Sequence, residues 1–221
     1  AAGGGPEIVD RRPNSAEAVA WDPSGARLLA GYAGGTVVVH SIDDGTSTVL
    51  AGHEGDLLDL DWSPTGDRAV STSKDGWVIV WDTDSTMAVA VIENNDRLWT
   101  RSVQWVAATL FLTVEERGTV TLWSIDVGGD TAEELSRIDV GATVLAADLW
   151  LDNSVLLAAA YEDGSVRIWD LVSGDEAADL TPERNGEDVG SDDAPTVRWS
   201  GDGRALAVGR LDGSVQIWAL D

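Results

Sequence analysis

Residues 52–66 read Gly52-His53-Glu54-Gly55-Asp56-Leu57-Leu58-Asp59-Leu60-Asp61-Trp62-Ser63-Pro64-Thr65-Gly66. The chain continues through Ala69-Val70-Ser71-Thr72-Ser73 and closes the stretch with Asp75-Gly76-Trp77-Val78-Ile79-Val80-Trp81-Asp82. Short runs rich in β-branched and aromatic residues, bounded by turn residues, predict strands rather than helices. Ser63-Pro64-Thr65-Gly66 is a turn in which Pro presets φ at the second position. Asp75-Gly76 between two such runs is a hairpin signal, and a two-residue type I′ turn there requires positive φ at both residues.

The stretch is one copy of a repeat. A Trp ends the first strand at Trp21, Trp62, Trp105, Trp150 and Trp199, and a second marker ends the third strand at His40, Trp81, Trp123, Trp169 and Trp218. The two markers lie 19, 19, 18, 19 and 19 residues apart. Five residues before each second marker stands a glycine: Gly35, Gly76, Gly118, Gly164 and Gly213. The residue before it is Gly34, Asp75, Arg117, Asp163 or Asp212. Second markers recur at intervals of 41, 42, 46 and 49 residues, which fits a propeller blade of ~40–45 residues with insertions. The extra length of the last interval falls in Thr181–Ala194, read as a solvated loop; its acids do not have the spacing of a calcium loop. Outer strands are expected at Thr46–Ala51, Met87–Ile92, Glu133–Asp139 and Glu176–Leu180.

The Gly-His opening, Ser-Pro-x-Gly turn, Asp-Gly hairpin and terminal Trp-Asp resemble the WD-repeat of β-propeller proteins. The resemblance implies an all-β propeller of five four-stranded blades, at about 14–51, 52–92, 98–139, 142–180 and 194–221. Residues 1–6 are expected to be a flexible lead-in. The fifth copy lacks an outer strand, so residues 7–12 (Glu7-Ile8-Val9-Asp10-Arg11-Arg12) are expected to pair with Ser214–Leu220 and close the ring. An open ring that takes a blade from a partner, and a piece of a larger array, stay open beside closure, because rings of this family usually have seven blades. The family also implies a hydrogen-bonded tetrad in the second blade: His53 linking Asp75 to a hydroxyl of Ser71 or Ser73, which reaches the indole of Trp81. Only that blade carries the full set; Asp163 and Trp169, and Asp212 and Trp218, keep the Asp–Trp half, and the other blades are expected to rely more on packing.

Composition narrows the function. The 221 residues are 43% hydrophobic, enough for a core, and contain no cysteine, which excludes disulfides and thiolate metal sites. No apolar run reaches the ~18 residues of a membrane span, and the first residues lack a signal-peptide pattern, so a soluble, cytoplasmic chain is expected. Thirty-nine acids against fourteen bases give a formal charge of −25, unfavourable for binding nucleic acid or anionic membrane. Lys74 is the only lysine beside thirteen arginines. An Asp-rich, Lys-poor chain fits a salt-adapted protein, and GC-rich codon usage explains the same bias. His40 and His53 are the only histidines and lie at different phases of the repeat. No nucleophile elbow, phosphate loop or zinc helix motif occurs. Glu115 and Glu116 are adjacent, so on a strand they face opposite ways and make no acid/base pair. Neither a catalytic residue, a metal nor a cofactor is expected.

The resemblance therefore implies a non-catalytic protein-interaction scaffold, a monomer or part of a larger complex, that docks a protein or peptide on the face bearing the second-to-third-strand turns. On that face Trp77 and Trp99 interrupt otherwise mostly small or polar sets, and Arg101, Arg117 and Arg210 stand out on an acidic surface. Trp and Arg are enriched at interface hot spots, so these five form the expected partner patch. Two other readings remain: an incomplete propeller or sensor module of a larger complex, and a propeller glycosidase or lectin, which needs an aromatic-floored pocket with two carboxylates.

Overall fold

The computed structural model describes residues 8–93, 98–126, 131–152, 154–180, 196–210 and 213–220. Among them every regular element is a strand, and the nineteen strands form antiparallel sheets in which sequence neighbours pair. The first sheet holds β1 (Ala16–Trp21), β2 (Arg27–Tyr32), β3 (Val37–Ser41) and β4 (Ser47–Leu50); the second holds β5 (Leu57–Trp62), β6 (Arg68–Ser73), β7 (Trp77–Asp82) and β8 (Met87–Glu93). The third runs β9 (Thr100–Ala107), β10 (Leu110–Glu115), β11 (Thr119–Ile125) and β12 (Ala132–Asp139). The fourth holds β13 (Val144–Leu151), β14 (Val155–Tyr161), β15 (Val166–Asp170) and β16 (Glu176–Asp179). The fifth shows β17 (Thr196–Trp199), β18 (Ala205–Gly209) and β19 (Val215–Ala219).

Contacts divide the chain into two compact units, Ala1–Thr109 with Ile125–Ala132, and Leu110–Ser124 with Glu133–Asp221. In the first, Leu29, Val37 and Leu50 of the first sheet pack against Leu57, Leu60, Ile79 and Trp81 of the second. In the second, Ala158, Val166 and Ile168 of the fourth sheet meet Val197, Leu206 and Val208 of the fifth. Central strands are covered on both faces: all six residues of β6 are buried. That is why Val37-Val38-Val39 and Val78-Ile79-Val80 read as continuous apolar runs instead of alternating ones.

Adjacent sheets are also joined through strand-one aspartates. Asp59 Oδ2 accepts from Ser102 Oγ (2.8 Å) and Val103 N–H (3.0 Å), and Asp61 Oδ2 accepts from Trp105 N–H (2.8 Å). In the other unit Asp148 Oδ2 accepts from Trp199 N–H at 2.7 Å. A register shift recurs near the start of strand one in three sheets, at Ala16/Ala18, Leu57/Asp59 and Val144/Ala146.

Two expectations are corrected. The Asp-Gly hairpin turns are not type I′: Thr86 is the only described non-glycine with positive φ, so Asp75 and Asp163 keep ordinary backbone and, in those two turns, Gly76 (φ +87°) and Gly164 (φ +81°) alone turn left. The cause is the aspartate side chain. Asp75 Oδ1 accepts from Trp77 N–H, and Asp163 Oδ1 from Ser165 N–H, each two residues on and at 2.9 Å. The closing strand is the second correction. Residues 8–12 form no strand, and the fifth sheet has three strands among the described residues. Asp10 instead accepts a hydrogen bond from Tyr32 Oη (3.2 Å) and pairs with Arg12 (2.7 Å), while Ile8 and Val9 stay exposed and bury little. The expected outer strands of the first four sheets are present as β4, β8, β12 and β16. Residues 1–6 and the Thr181–Ala194 loop lie outside the described residues.

Candidate functional site

The second sheet assembles a directed chain of hydrogen bonds at the hairpin end of β6 and β7. Gly52-His53 leaves β4 and brings the imidazole over β6, where desolvation dominates and holds its pKa below the ordinary histidine value. The ring is therefore neutral, and its carboxylate contact is a hydrogen bond and not an ion pair. One tautomer satisfies every contact. Nδ1–H donates to Asp75 Oδ2 (2.9 Å), and Nε2 accepts from Ser71 Oγ (2.9 Å). Ser71 Oγ in turn accepts from Trp81 Nε1–H at 2.8 Å. Burial works against the Asp75 carboxylate, yet Glu54 and Trp77 N–H groups and His53 hold its pKa below the usual value. Ser71 and Trp81 are fully buried, so each polar atom has its partner where water has no access. The structure thus joins His53, Ser71, Asp75 and Trp81. Ser73 stands apart, accepting from Asp75 N–H at 3.2 Å.

Beside packing, other sheets keep an indole hydrogen bond. In the third sheet Trp123 Nε1–H donates to Thr113 Oγ1 at 2.9 Å, ten residues back, as Trp81 does to Ser71. In the fourth, Ala159 holds that place and Trp169 Nε1–H donates instead to Tyr161 Oη at 2.8 Å. Burial raises the Tyr161 pKa to about 12, so the phenol stays neutral. The signal was present: the chain's two tyrosines, Tyr32 and Tyr161, each stand eight residues before a second marker, His40 and Trp169. In the first sheet His40 Nδ1 bonds Ser47 Oγ at 2.8 Å, and desolvation keeps its pKa low although Asp10 lies 3.5 Å from Nε2. In the fifth, Val208 replaces the hydroxyl and Trp218 Nε1 is buried without a partner among the described residues; Asp212 lies outside them.

The expected partner patch divides. In the first unit Trp99 is exposed, and the ammonium of Lys74 sits 5.8 Å from its ring centroid. Arg101, two residues on in β9, is exposed as well. Trp77 is half-buried and packs against the core between the first two sheets, so most of it is structural. In the second unit Arg117 is exposed in the β10–β11 turn. Arg210 is not available: its guanidinium donates to Gly164 O (3.1 Å) and Gln216 Oε1 (3.2 Å), tying the fourth sheet to the fifth. Glu115, one of the adjacent glutamates, is buried with Arg137 Nη1 at 3.9 Å.

The WD domain, G-beta repeat family matches residues 45–82, 139–170 and 190–219, which hold strands one to three of the second, fourth and fifth sheets. The chain is 27% identical over 138 residues to guanine nucleotide-binding protein subunit beta-5b of Danio rerio, covering 58% of the chain and 33% of that protein. It is 24% identical over 130 residues to the guanine nucleotide-binding protein subunit beta of Saccharomyces cerevisiae, covering 56% and 29%. A shorter match, 42% over 69 residues, is to the chromatin assembly factor 1 subunit FAS2 homolog of Oryza sativa, covering 28% of the chain and 14% of that protein. The chain spans a third or less of the length of these relatives. The unmatched first and third sheets are those whose markers depart, with His40 for Trp and Arg117 for Asp. The matched repeats and the antiparallel sheets agree: the chain carries WD repeats on an all-β fold like that of WD-repeat β-propellers.

Proposed function

We propose that the chain is a non-catalytic scaffold that binds a protein partner at the hairpin end of its second sheet, around Trp99. The observation that carries this is an exposed indole beneath the Lys74 ammonium, next to Arg101, on a chain of charge −25. Large aromatics and arginine at the rim of a rigid sheet are the residue types that carry binding energy at interfaces. The tetrad supports the site by fixing the Asp75-Gly76 turn beside Lys74. The names of relatives point the same way: they are subunits of a guanine nucleotide-binding protein and of a chromatin assembly factor. The negative charge favours a protein partner over nucleic acid or an anionic membrane. Affinity purification with quantitative mass spectrometry tests this. A folded Trp99→Ala, Arg101→Ala variant is expected to lose partners that the parent chain retains; an identical partner set contradicts the site.

A further inference from the structure

The fourth and fifth sheets enclose a cleft of about 520 Å³ whose geometry has a filled counterpart elsewhere in the same chain. Between the first and second sheets, the Arg27 guanidinium lies 4.6 Å from the Trp62 ring centroid. It donates to Gly66 O, to Thr83 Oγ1 (3.3 Å) and to Asp22 (3.2 Å), and reaches Asp84 at 3.6 Å. The repeat maps these positions onto the second unit. Leu156 stands where Arg27 does: both follow the first Trp by six residues and pair with the residue after the second marker, Ser41 or Asp170. Trp199 corresponds to Trp62, Gly203 to Gly66 and Leu220 to Thr83, and all four counterparts line the cleft. Trp199 is even anchored alike: its Nε1–H donates to Asp148 O (3.1 Å), as Trp62 Nε1–H donates to Ala20 O (3.0 Å).

Exchanging arginine for leucine at 156 removes the cation from its aromatic seat and leaves the seat in place. Trp62 is buried under Arg27, whereas Trp199 remains half-exposed. Trp150 forms the second wall, 6.1 Å from Trp199 between ring centroids. It lies against Gly203, where any Cβ would fall 1.9 Å from Trp150 Cε2, so only glycine leaves room for this wall. The rim carries Asp152, Asp202 and Arg204, one net negative charge. Hydrogen bonds from the Ser200 hydroxyl and Arg204 N–H hold the Asp202 pKa below the usual range, so it is ionised.

We infer that this cleft receives an arginine side chain from a partner protein, restoring in trans the guanidinium–indole stack that Arg27 makes in cis. Two indoles with carboxylates at the mouth suit a cation, and cation–π contacts with Trp strengthen as the site is desolvated. A guanidinium also offers planar donors for the carboxylates and for the Gly203 carbonyl. The chain's charge of −25 steers a basic segment toward any such seat. Indole walls with two carboxylates also suit a sugar ring; the internal Arg27 precedent decides for arginine. The inference rests on the scaffold reading only in that the guest belongs to a partner protein. It does not use Trp99, so loss of that site leaves the cleft standing.

The test titrates the labelled full chain with the peptide acetyl-Gly-Arg-Gly-amide and with its neutral citrulline counterpart, following the indole N–H resonances of Trp150 and Trp199. The arginine peptide is expected to shift both resonances saturably, and citrulline in its place to weaken binding about tenfold or more, the scale of a desolvated cation–π contact. Asp202→Asn is expected to weaken the arginine peptide, and Trp99→Ala to leave it unchanged. Leu156→Arg is expected to fold, to fill the cleft from within and to abolish uptake. Absence of a saturable shift, equal binding of the citrulline peptide, or unchanged binding to folded Leu156→Arg overturns the inference. So does a glycan array in which a sugar shifts the two indoles and the arginine peptide does not.

Discussion

A neutral imidazole at His53 is what the hydrogen bonds of the second sheet require, since Nε2 must accept from Ser71 while Nδ1–H donates to Asp75. Removing the ring leaves a buried hydroxyl and a carboxylate short of partners, so His53→Ala is expected to cost about 3 kcal/mol in chemical unfolding. Ser71→Ala is expected to cost about 2 kcal/mol, and the double variant less than the sum, because both act on one network. Additive losses in that cycle contradict the network. The pH dependence follows from the sign of the shift. Both histidines have folded pKa values below the ordinary one near 6.5, so below pH ~6.5 the unfolded chain binds more protons. Stability is fully present above that pH and is lost as pH falls, by up to about 1.4 kcal/mol per pH unit for each histidine. His53→Gln is expected to flatten the slope in denaturation curves between pH 7 and 5; an unchanged slope contradicts the assignment. Much of this was readable because His, Ser, Asp and Trp sit at fixed offsets in one repeat. Which of Ser71 and Ser73 joins the chain was not, since it depends on the strand register that puts Ser71 opposite Ile79.

At the scale of the element, the hairpin glycines of the first and third sheets, Gly35 and Gly118, serve two purposes, reversing the chain and admitting a neighbour. Gly35 has φ +84°, and a Cβ there would stand 2.3 Å from the carbonyl oxygen of His53. Gly35→Ala is therefore expected to destabilise by about 3 kcal/mol through backbone strain and displacement of the 53–54 segment, measured by thermal melting. Wild-type melting would mean the first two sheets do not meet there. The outer strands were legible because each is set a turn beyond the second marker of its repeat. Turn type was not legible: Asp-Gly suits a type I′ turn, but the Asp75 carboxylate is claimed by Trp77, Glu54 and His53, and that pins its backbone. The seven-to-twelve segment looked like a strand by its Ile8-Val9 pair. Asp10 decides otherwise, because its carboxylate finds Tyr32 on the first sheet and Arg12 two residues along its own segment.

For the whole molecule, repetition and charge dominate. The excess of acids over bases, a formal charge of −25, makes the chain repel itself in dilute salt, and screening relieves that repulsion. The melting midpoint is expected to fall as KCl drops from molar to about 0.1 M; a midpoint independent of salt leaves codon usage as the reason for the arginine bias. The repeat was legible from five pairs of aromatic markers. The cleft between the fourth and fifth sheets was not, since it arises where Leu156 stands in the place of Arg27, a difference with meaning only once the sheets are packed. The central claim is that one three-strand unit with an outer strand recurs along the chain and carries its protection in the middle strands. Hydrogen exchange along the backbone tests it most directly. The account predicts five maxima of protection, at β2–β3, β6–β7, β10–β11, β14–β15 and β18–β19, separated by faster exchange in the outer strands β4, β8, β12 and β16. A single unbroken block of protection, or middle strands that exchange as fast as the outer ones, would contradict it.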